Sequence, residues 1–215
     1  MTLTAATEPG TGAKEHEPAT AAADVSSELK ELAQIAQRYY AHDGTGRRHA
    51  LNVAKLALMI GRGLRLPRAE LVAITLGAVL HDIGKLTVPA PVLEKPGHLT
   101  SAEWTLVRAH PATGERLVSP YLRHPLVRSV VRWHHERVDG RGYPDGLRGE
   151  TIPLAARIVS VADAYEAMVA ARPYSRPRTP LEAVAETVDC AGRQFDVRCV
   201  ERLSEIVAPR SLVAA

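Results

Sequence analysis

The sequence predicts an all-α protein, a compact multi-helix bundle with two long loops. Three observations carry that prediction. After residue 24, apolar residues recur three and four apart through most of the chain, the spacing of one helix face. Residue types that open helices stand just ahead of several of these runs. Alternating strand patterns are nearly absent, and no internal repeat is visible.

Taken in order, residues 1–24 are mostly Ala, Thr, Glu, Pro and Gly, with no Leu or Ile after Leu3. Such a segment cannot bury enough apolar surface to offset the entropy of ordering it, so a flexible tail is expected, with His16 a solvent-exposed bystander. Leu29, Leu32, Ile35 and Tyr39 then fall at helical spacing, and His49, Val53, Leu56 and Ile60 share one face of a second helix. A third helix runs from Pro67, in its first turn, to His81, carrying Leu71, Ile74 and Ala78. Thr100 with Glu103 forms a capping box, and Thr179 with Glu182 forms another around Pro180. Pro125 and Pro153 open PLVRSVVRWHH and PLAARIVSVADAYEAM, and Asp196 caps a last helix reaching Ile206. Turn residues gather at 86–99 and 139–152. The expected organisation is a tail over 1–24, one domain over 25–210 and a short tail over 211–215, with no room for a sensory domain beside it.

Composition narrows the function. Hydrophobic residues make up 46% of the 215 and charged residues 24%, as in a globular domain, while aromatics are only 4%. The core must therefore be built from Ala, Val, Leu and Ile. No stretch approaches the ~20 apolar residues of a membrane span, and the N-terminus lacks the basic and apolar regions of a secretion signal. A cytoplasmic protein without a membrane partner is expected. Cys190 and Cys199 are too few for a disulfide framework or a zinc site, and both are expected to be ordinary helix residues. A net charge of +3 is too mild for a nucleic-acid polymer as partner.

The chemistry-bearing residues are histidines and aspartates. Singly, each has a plain structural reading. His81-Asp82 closes an apolar helix, where a histidine interacts with the helix dipole. Asp163 shares a polar stripe with Ser160 and Glu166 at i, i+3 and i+6. His49, on an apolar face, suits a hydrogen-bonded core residue. Together they read differently: His49, His81, Asp82 and Asp163 would come from three helices facing one core, the way bundle-core metal sites are made. His110, ahead of Pro111, and His134-His135, at the end of VVRWHH, then join the set. Adjacent helix residues point about 100° apart, so His134 and His135 can face one site only where the helix ends, and Asp139-Gly140 is expected to supply that end. Imidazole and carboxylate without thiolate suit iron, manganese, nickel or zinc. Five histidines and two aspartates exceed the needs of one ion and suit two, roughly 3.5–4 Å apart and bridged by a carboxylate, an arrangement used to hydrolyse phosphoesters with a bridging hydroxide. Lys85, three residues past Asp82, would add a positive contact to phosphate. His42, His98 and His124 have no ligand context, and Arg47, Arg48, Arg62, Arg65 and Arg68 read as a solvated face.

The segments HDIGK (81–85), HPATG (110–114), HHERVDGRGYPDGLRGETIP (134–153), ARIVSVADAYEAM (156–168) and RPY (172–174) resemble the HD-GYP family, in order and with family-like spacing from about residue 30 to 207. GRGYPDGL after HHE is the most specific of them. The resemblance implies an HD-type bundle with the metal site in its core and the GYP loop beside it. It implies a phosphodiesterase that opens cyclic di-GMP to linear pGpG, and in many members onward to GMP. The metal ligands would be His49, His81, Asp82, His110, His134, His135 and Asp163, with Asp82 bridging and catalytic beside Lys85. Lys85 and Arg172 would contact the substrate phosphate, and Gly142, Tyr143 and Pro144 would form the loop at the substrate. The cofactors implied are two divalent ions, iron or manganese first, nickel or zinc as alternatives. Some members carry a glutamate where Thr45 stands, supporting a third ion; Thr45 points to two. HALNV (49–53), Val138 and Ser175 also depart from common family residues. Two other readings share the site: a phosphohydrolase for another cyclic dinucleotide or a nucleotide, and a non-catalytic module that binds cyclic di-GMP or a GGDEF-domain protein. A homodimer is a further expectation.

Overall fold

The computed structural model describes residues 34, 44–122, 124–171 and 176–208. The 1–24 and 211–215 tails, the helix expected through Leu29, Leu32, Ile35 and Tyr39, and His16 and His42 lie outside them. The described residues form an all-helical bundle without strands, with one isolated bridge between Ala191 and Phe195. In chain order the helices are α1 (Gly44–Gly63), α2 (Arg68–Leu80), α3 (Ala90–Leu93), α4 (Ser101–Arg108), α5 (His110–Val118), α6 (Pro125–Trp133), α7 (Leu154–Val169), α8 (Pro180–Asp189) and α9 (Val197–Val207). Short 3-10 turns at Ile83–Thr87 and Gly149–Thr151 tighten the two long loops, and α3 adds a single helical turn to the first.

Local chemistry sets most of these boundaries. The Thr100 and Thr179 side chains accept from the Glu103 and Glu182 amides, and both glutamates reach back to close capping boxes at α4 and α8. Asp196 accepts from the Arg198 amide to start α9. Pro125 opens α6, where its missing N–H costs nothing. Pro67 and Pro153 sit one position earlier than a first turn, as extended residues before α2 and α7. Cys199 is buried in α9, whereas Cys190 sits just past the end of α8 and not within it, because its amide closes the last turn onto Glu186.

The core is aliphatic, as the scarcity of aromatics requires. Val53, Ala57 and Ile60 of α1, Ile74 and Ala78 of α2, Ile158, Val159 and Ala162 of α7 and Leu203 of α9 form one buried cluster. Each fully buried Ile or Leu contributes about 1.5–3 kcal/mol. A second cluster joins Leu80 and Ile83 to Val118, Leu122, Val127 and Val131. A buried pair between Arg157 of α7 and Asp196 ties α7 to the start of α9. Two glycines let the polar elements close up: a Cβ on Gly84 would collide with the His110 carbonyl and lie 2.6 Å from the Gly114 amide. The turn after Asp82 can therefore lie flat against the start of α5, which brings Asp82 to His110. Among the described residues no helix is long and apolar enough to cross a membrane.

Candidate metal centre

His49 comes from α1, His81 and Asp82 from the end of α2, His110 from the first residue of α5, His134 and His135 from the end of α6, and Asp163 from α7. The structure brings all seven together as two adjoining groups, His49–His81–Asp163 and Asp82–His110–His134–His135, with ligand atoms in each within 4.8 Å of one another. The α6 helix ends earlier than expected, at Trp133, with His134 at its C-cap and His135 in the turn that follows. This early end, before Asp139-Gly140, lets neighbouring imidazoles face one site, with their rings 4.2 Å apart.

Backbone carbonyls fix the ring orientations. Nδ1 of His81 donates to Ala78 O (2.7 Å), Nδ1 of His110 to Val107 O (2.7 Å) and Nδ1 of His134 to Val131 O (3.0 Å). A carbonyl only accepts, so each Nδ1 carries a proton and each Nε2 faces inward, the orientation of a metal ligand. Burial would lower His81, but Asp82 and Asp163 outweigh it and raise that imidazole. His110 Nε2 and His134 Nε2 face each other at 3.3 Å. Two facing lone pairs repel unless a positive charge is shared between them. His81 Nε2 and Asp82 Oδ1 are fully buried without an aligned hydrogen bond, although Asp82 Oδ2 lies 3.4 Å from the first and His110 Nε2 lies 3.2 Å from the second. Orphaned buried polar atoms of this kind are rare without a ligand. The donor set thus fits divalent cations. Asp82 turns one oxygen toward each group, and Lys85 Nζ sits 2.6 Å from its Oδ2.

The charges sort accordingly. Burial opposes ionisation of Asp82, yet the Lys85 ammonium and His81 hold its carboxyl well below the usual range. Burial likewise opposes ionisation of Asp163, but His49, His81 and His135 keep its carboxyl low. Burial would lower His49, but Asp163 and Glu166 outweigh it and raise the imidazole to about 9. His135 goes the other way, to about 4, because burial is reinforced by His110. Burial and the neighbouring His135, His81 and His110 also hold His134 well below 6.5.

Beside the ligands opens a cavity of about 750 Å³, within the ~300–1,000 Å³ of small-molecule sites. Gly142 and Tyr143 line it, with Tyr143 stacked on His135 at 4.8 Å. Pro144, joined to Tyr143 by a cis bond, is half-buried outside the lining. A Cβ on Gly142 would press on the backbone at Glu136, so only glycine lets the loop lie this close. Arg172 lies outside the described residues. His98 and His124 are exposed, as expected, and so are Arg47, Arg48, Arg62, Arg65 and Arg68.

Sequence reasoning missed three kinds of residue. Glu166, 5% exposed, accepts from His49 Nδ1 and from Asn52 Nδ2, so the polar stripe of Ser160, Asp163 and Glu166 is part of the site and not a solvated face. The i, i+3, i+6 spacing was the signal for it. Glu136, equally buried, accepts from the Asp145 and Gly146 amides and pins the GYP loop, a role no periodicity announces. Trp104, Arg108, Arg137 and Arg141 also line the cavity.

Comparisons with known proteins decide the family. The model of a family described as "HD domain" matches residues 18–199. The chain belongs to the HD domain family. Its HDIGK, HHE and GYP segments are the ones that resemble the HD-GYP type. Among curated proteins it is 40% identical over 178 residues to a cyclic di-GMP phosphodiesterase response regulator of Xanthomonas campestris pv. campestris, covering 82% of this chain and 47% of that one. It is 39% identical over 158 residues to a 3'3'-cGAMP-specific phosphodiesterase of Vibrio cholerae, covering 73% and 34%. Of solved structures, a protein from Bdellovibrio bacteriovorus described as HDG"Y"P superposes with a TM-score of 0.64 at 23% identity, covering 77% of this HD domain chain and 53% of that one, a likeness of fold. The chain spans about half the length, or less, of the curated relatives it matches.

Proposed function

We propose that this HD domain is a metal-dependent phosphodiesterase that hydrolyses cyclic di-GMP to linear pGpG and carries some of it on to GMP. The observation that carries the reading is the convergence of seven nitrogen and oxygen donors in two adjoining groups, of which His134, His135 and Asp163 line a nucleotide-sized cavity. His49, His81 and Asp163 would hold one divalent ion and His110, His134 and His135 the other, with Asp82 between them. Iron or manganese is the first choice and nickel or zinc the next, since the set holds imidazole and carboxylate but no thiolate. Bound ions of this kind supply the positive charge that makes water acidic and offsets charge growing on phosphate.

The chain's own residues do the rest. The carbonyls at Ala78, Val107 and Val131 keep three imidazoles in the ligating orientation. Asp82 stays ionised beside Lys85, whose ammonium would share its charge with a phosphate oxygen. Tyr143 covers His135 and excludes water from that edge. Arg172 would add a phosphate contact, as the resemblance of its RPY segment implies. The folded unit is proposed to run over 25–210. A cytoplasmic setting, in keeping with two unpaired thiols, belongs to the same reading, as do a GGDEF-domain partner and a homodimer, which pull-down and light scattering test.

The test is direct. Protein loaded with iron or manganese, with and without air, is incubated with cyclic di-GMP and the products are separated. Formation of pGpG or GMP supports the reading, and absence of turnover under every loading removes it. A second reading, that 3'3'-cGAMP is the preferred substrate, has one observation in its favour, the 39% identity to a relative of that specificity. A substrate panel separates the two, with cyclic di-GMP expected first.

A further inference from the structure

The cavity is larger than one phosphodiester needs. Its lining takes in His134, His135 and Asp163, Tyr143, and Trp104 and Arg108 of α4. These two stand four residues apart and so share a face of the helix. Trp104 is 50% exposed, an unusual position for the largest apolar side chain in a protein so poor in aromatics. The Arg108 guanidinium lies 4.8 Å from the centre of the Tyr143 ring, which itself stacks on the candidate ligand His135. That layering holds the cation at the cavity and ties it to the metal centre. Among the described residues Arg108 makes no ion pair, whereas Arg137, which also lines the cavity, is engaged by Asp139 and Gln194.

We propose that Trp104 and Arg108 form a recognition wall for the half of a cyclic dinucleotide that the metal centre does not hold. The Trp104 indole stacks on a nucleobase, and the Arg108 guanidinium pairs with the phosphate that is not cut. The inference rests on the cyclic-dinucleotide reading above. A cyclic dinucleotide carries two phosphates and two bases; ions at the seven ligands would take one phosphate, and the second anion, enclosed in the same cavity, needs its own cation. A base beside an exposed indole removes apolar area from water on both partners and is tolerant of base identity. The wall therefore selects for nucleotides over bare phosphodiesters, a discrimination the ligands themselves cannot make.

The experiment uses the full metal-loaded chain. The wild type is assayed first with bis(p-nitrophenyl) phosphate, which reports on the metal centre, and with cyclic di-GMP. Turnover of the first alone, with no cyclic dinucleotide cleaved, sinks the function reading and this proposal with it. Where cyclic di-GMP is cleaved, KM and kcat are compared for W104A, W104F and R108A, with L106A as control on an exposed, non-lining position of the same helix. The expectation is a KM for W104A higher on the order of tenfold with little change in kcat and in bound metal. W104F should recover most of that loss, because a phenyl ring still stacks. R108A should raise KM and flatten its dependence on salt, and L106A should match the wild type. Tryptophan fluorescence adds a readout without turnover: a phosphorothioate analogue should quench the wild type and leave W104F little changed. A wild-type KM in W104A, a fall in kcat alone, or unaltered salt dependence in R108A would overturn the proposal while leaving the phosphodiesterase reading intact.

Discussion

The two candidate ligand groups are built from similar residues yet shift their imidazoles' proton affinity in opposite directions. In the His49–His81–Asp163 group the imidazoles sit against carboxylates: His49 Nε2 lies 3.1 Å from Asp163 Oδ1, and its Nδ1 meets Glu166. Protons are held there, with His49 raised to about 9. In the His110–His134–His135 group three imidazoles crowd each other with only Asp82 for an acid, and His135 falls to about 4. The difference teaches that a ligand's readiness is set by its neighbours. His134 and His135, both lowered, already present neutral lone pairs, whereas His49 must release a proton before it can take an ion.

The largest effect is expected at the residue the two groups share. Asp82→Ala should lose bound metal from both groups and drop turnover to background, measured by elemental analysis and product formation. Loss of one ion only would show that Asp82 serves a single group. Next, His110→Ala and His49→Ala should each lower the metal count by about one ion per chain, with the second ion retained. Equal loss of both ions in either variant would merge the groups into one site. Glu166→Gln keeps the shape but removes the charge behind His49, so metal affinity of that group should weaken by roughly 10–100-fold while the other group is unmoved.

The smallest effect is on stability in the metal-free protein, where the signs oppose. His49 has a folded value raised from 6.5 to about 9, so its contribution is present in full below 6.5 and is lost as pH climbs toward 9. His135 has a folded value lowered from 6.5 to about 4, so its contribution is present above 6.5 and is lost as pH falls toward 4. The melting temperature of chelated protein should therefore decline on both sides of neutrality. His49→Ala should flatten the alkaline limb and His135→Ala the acid limb; a limb that persists in its variant assigns it to other groups.

Much of the bundle was legible in the chain. Thr100 with Glu103 and Thr179 with Glu182 announce two helix starts, because a capping box is made within four residues. The ligands themselves were legible as histidines and aspartates too many for one ordinary core. The partners behind them were less so. Glu166 is 117 residues from His49, and Trp104 and Arg108 read as an ordinary amphipathic helix until Tyr143 is folded against Arg108.

Helix periodicity, caps and the supply of imidazoles and carboxylates able to hold a metal are written in the residues themselves, so the sequence alone determined them. Which carboxylate stands behind which imidazole, where α6 stops, and how the Gly84 turn meets the start of α5 were decided only by packing. These depend on distances between segments that no local pattern encodes, and burial then converts those distances into the opposite proton affinities of the two groups.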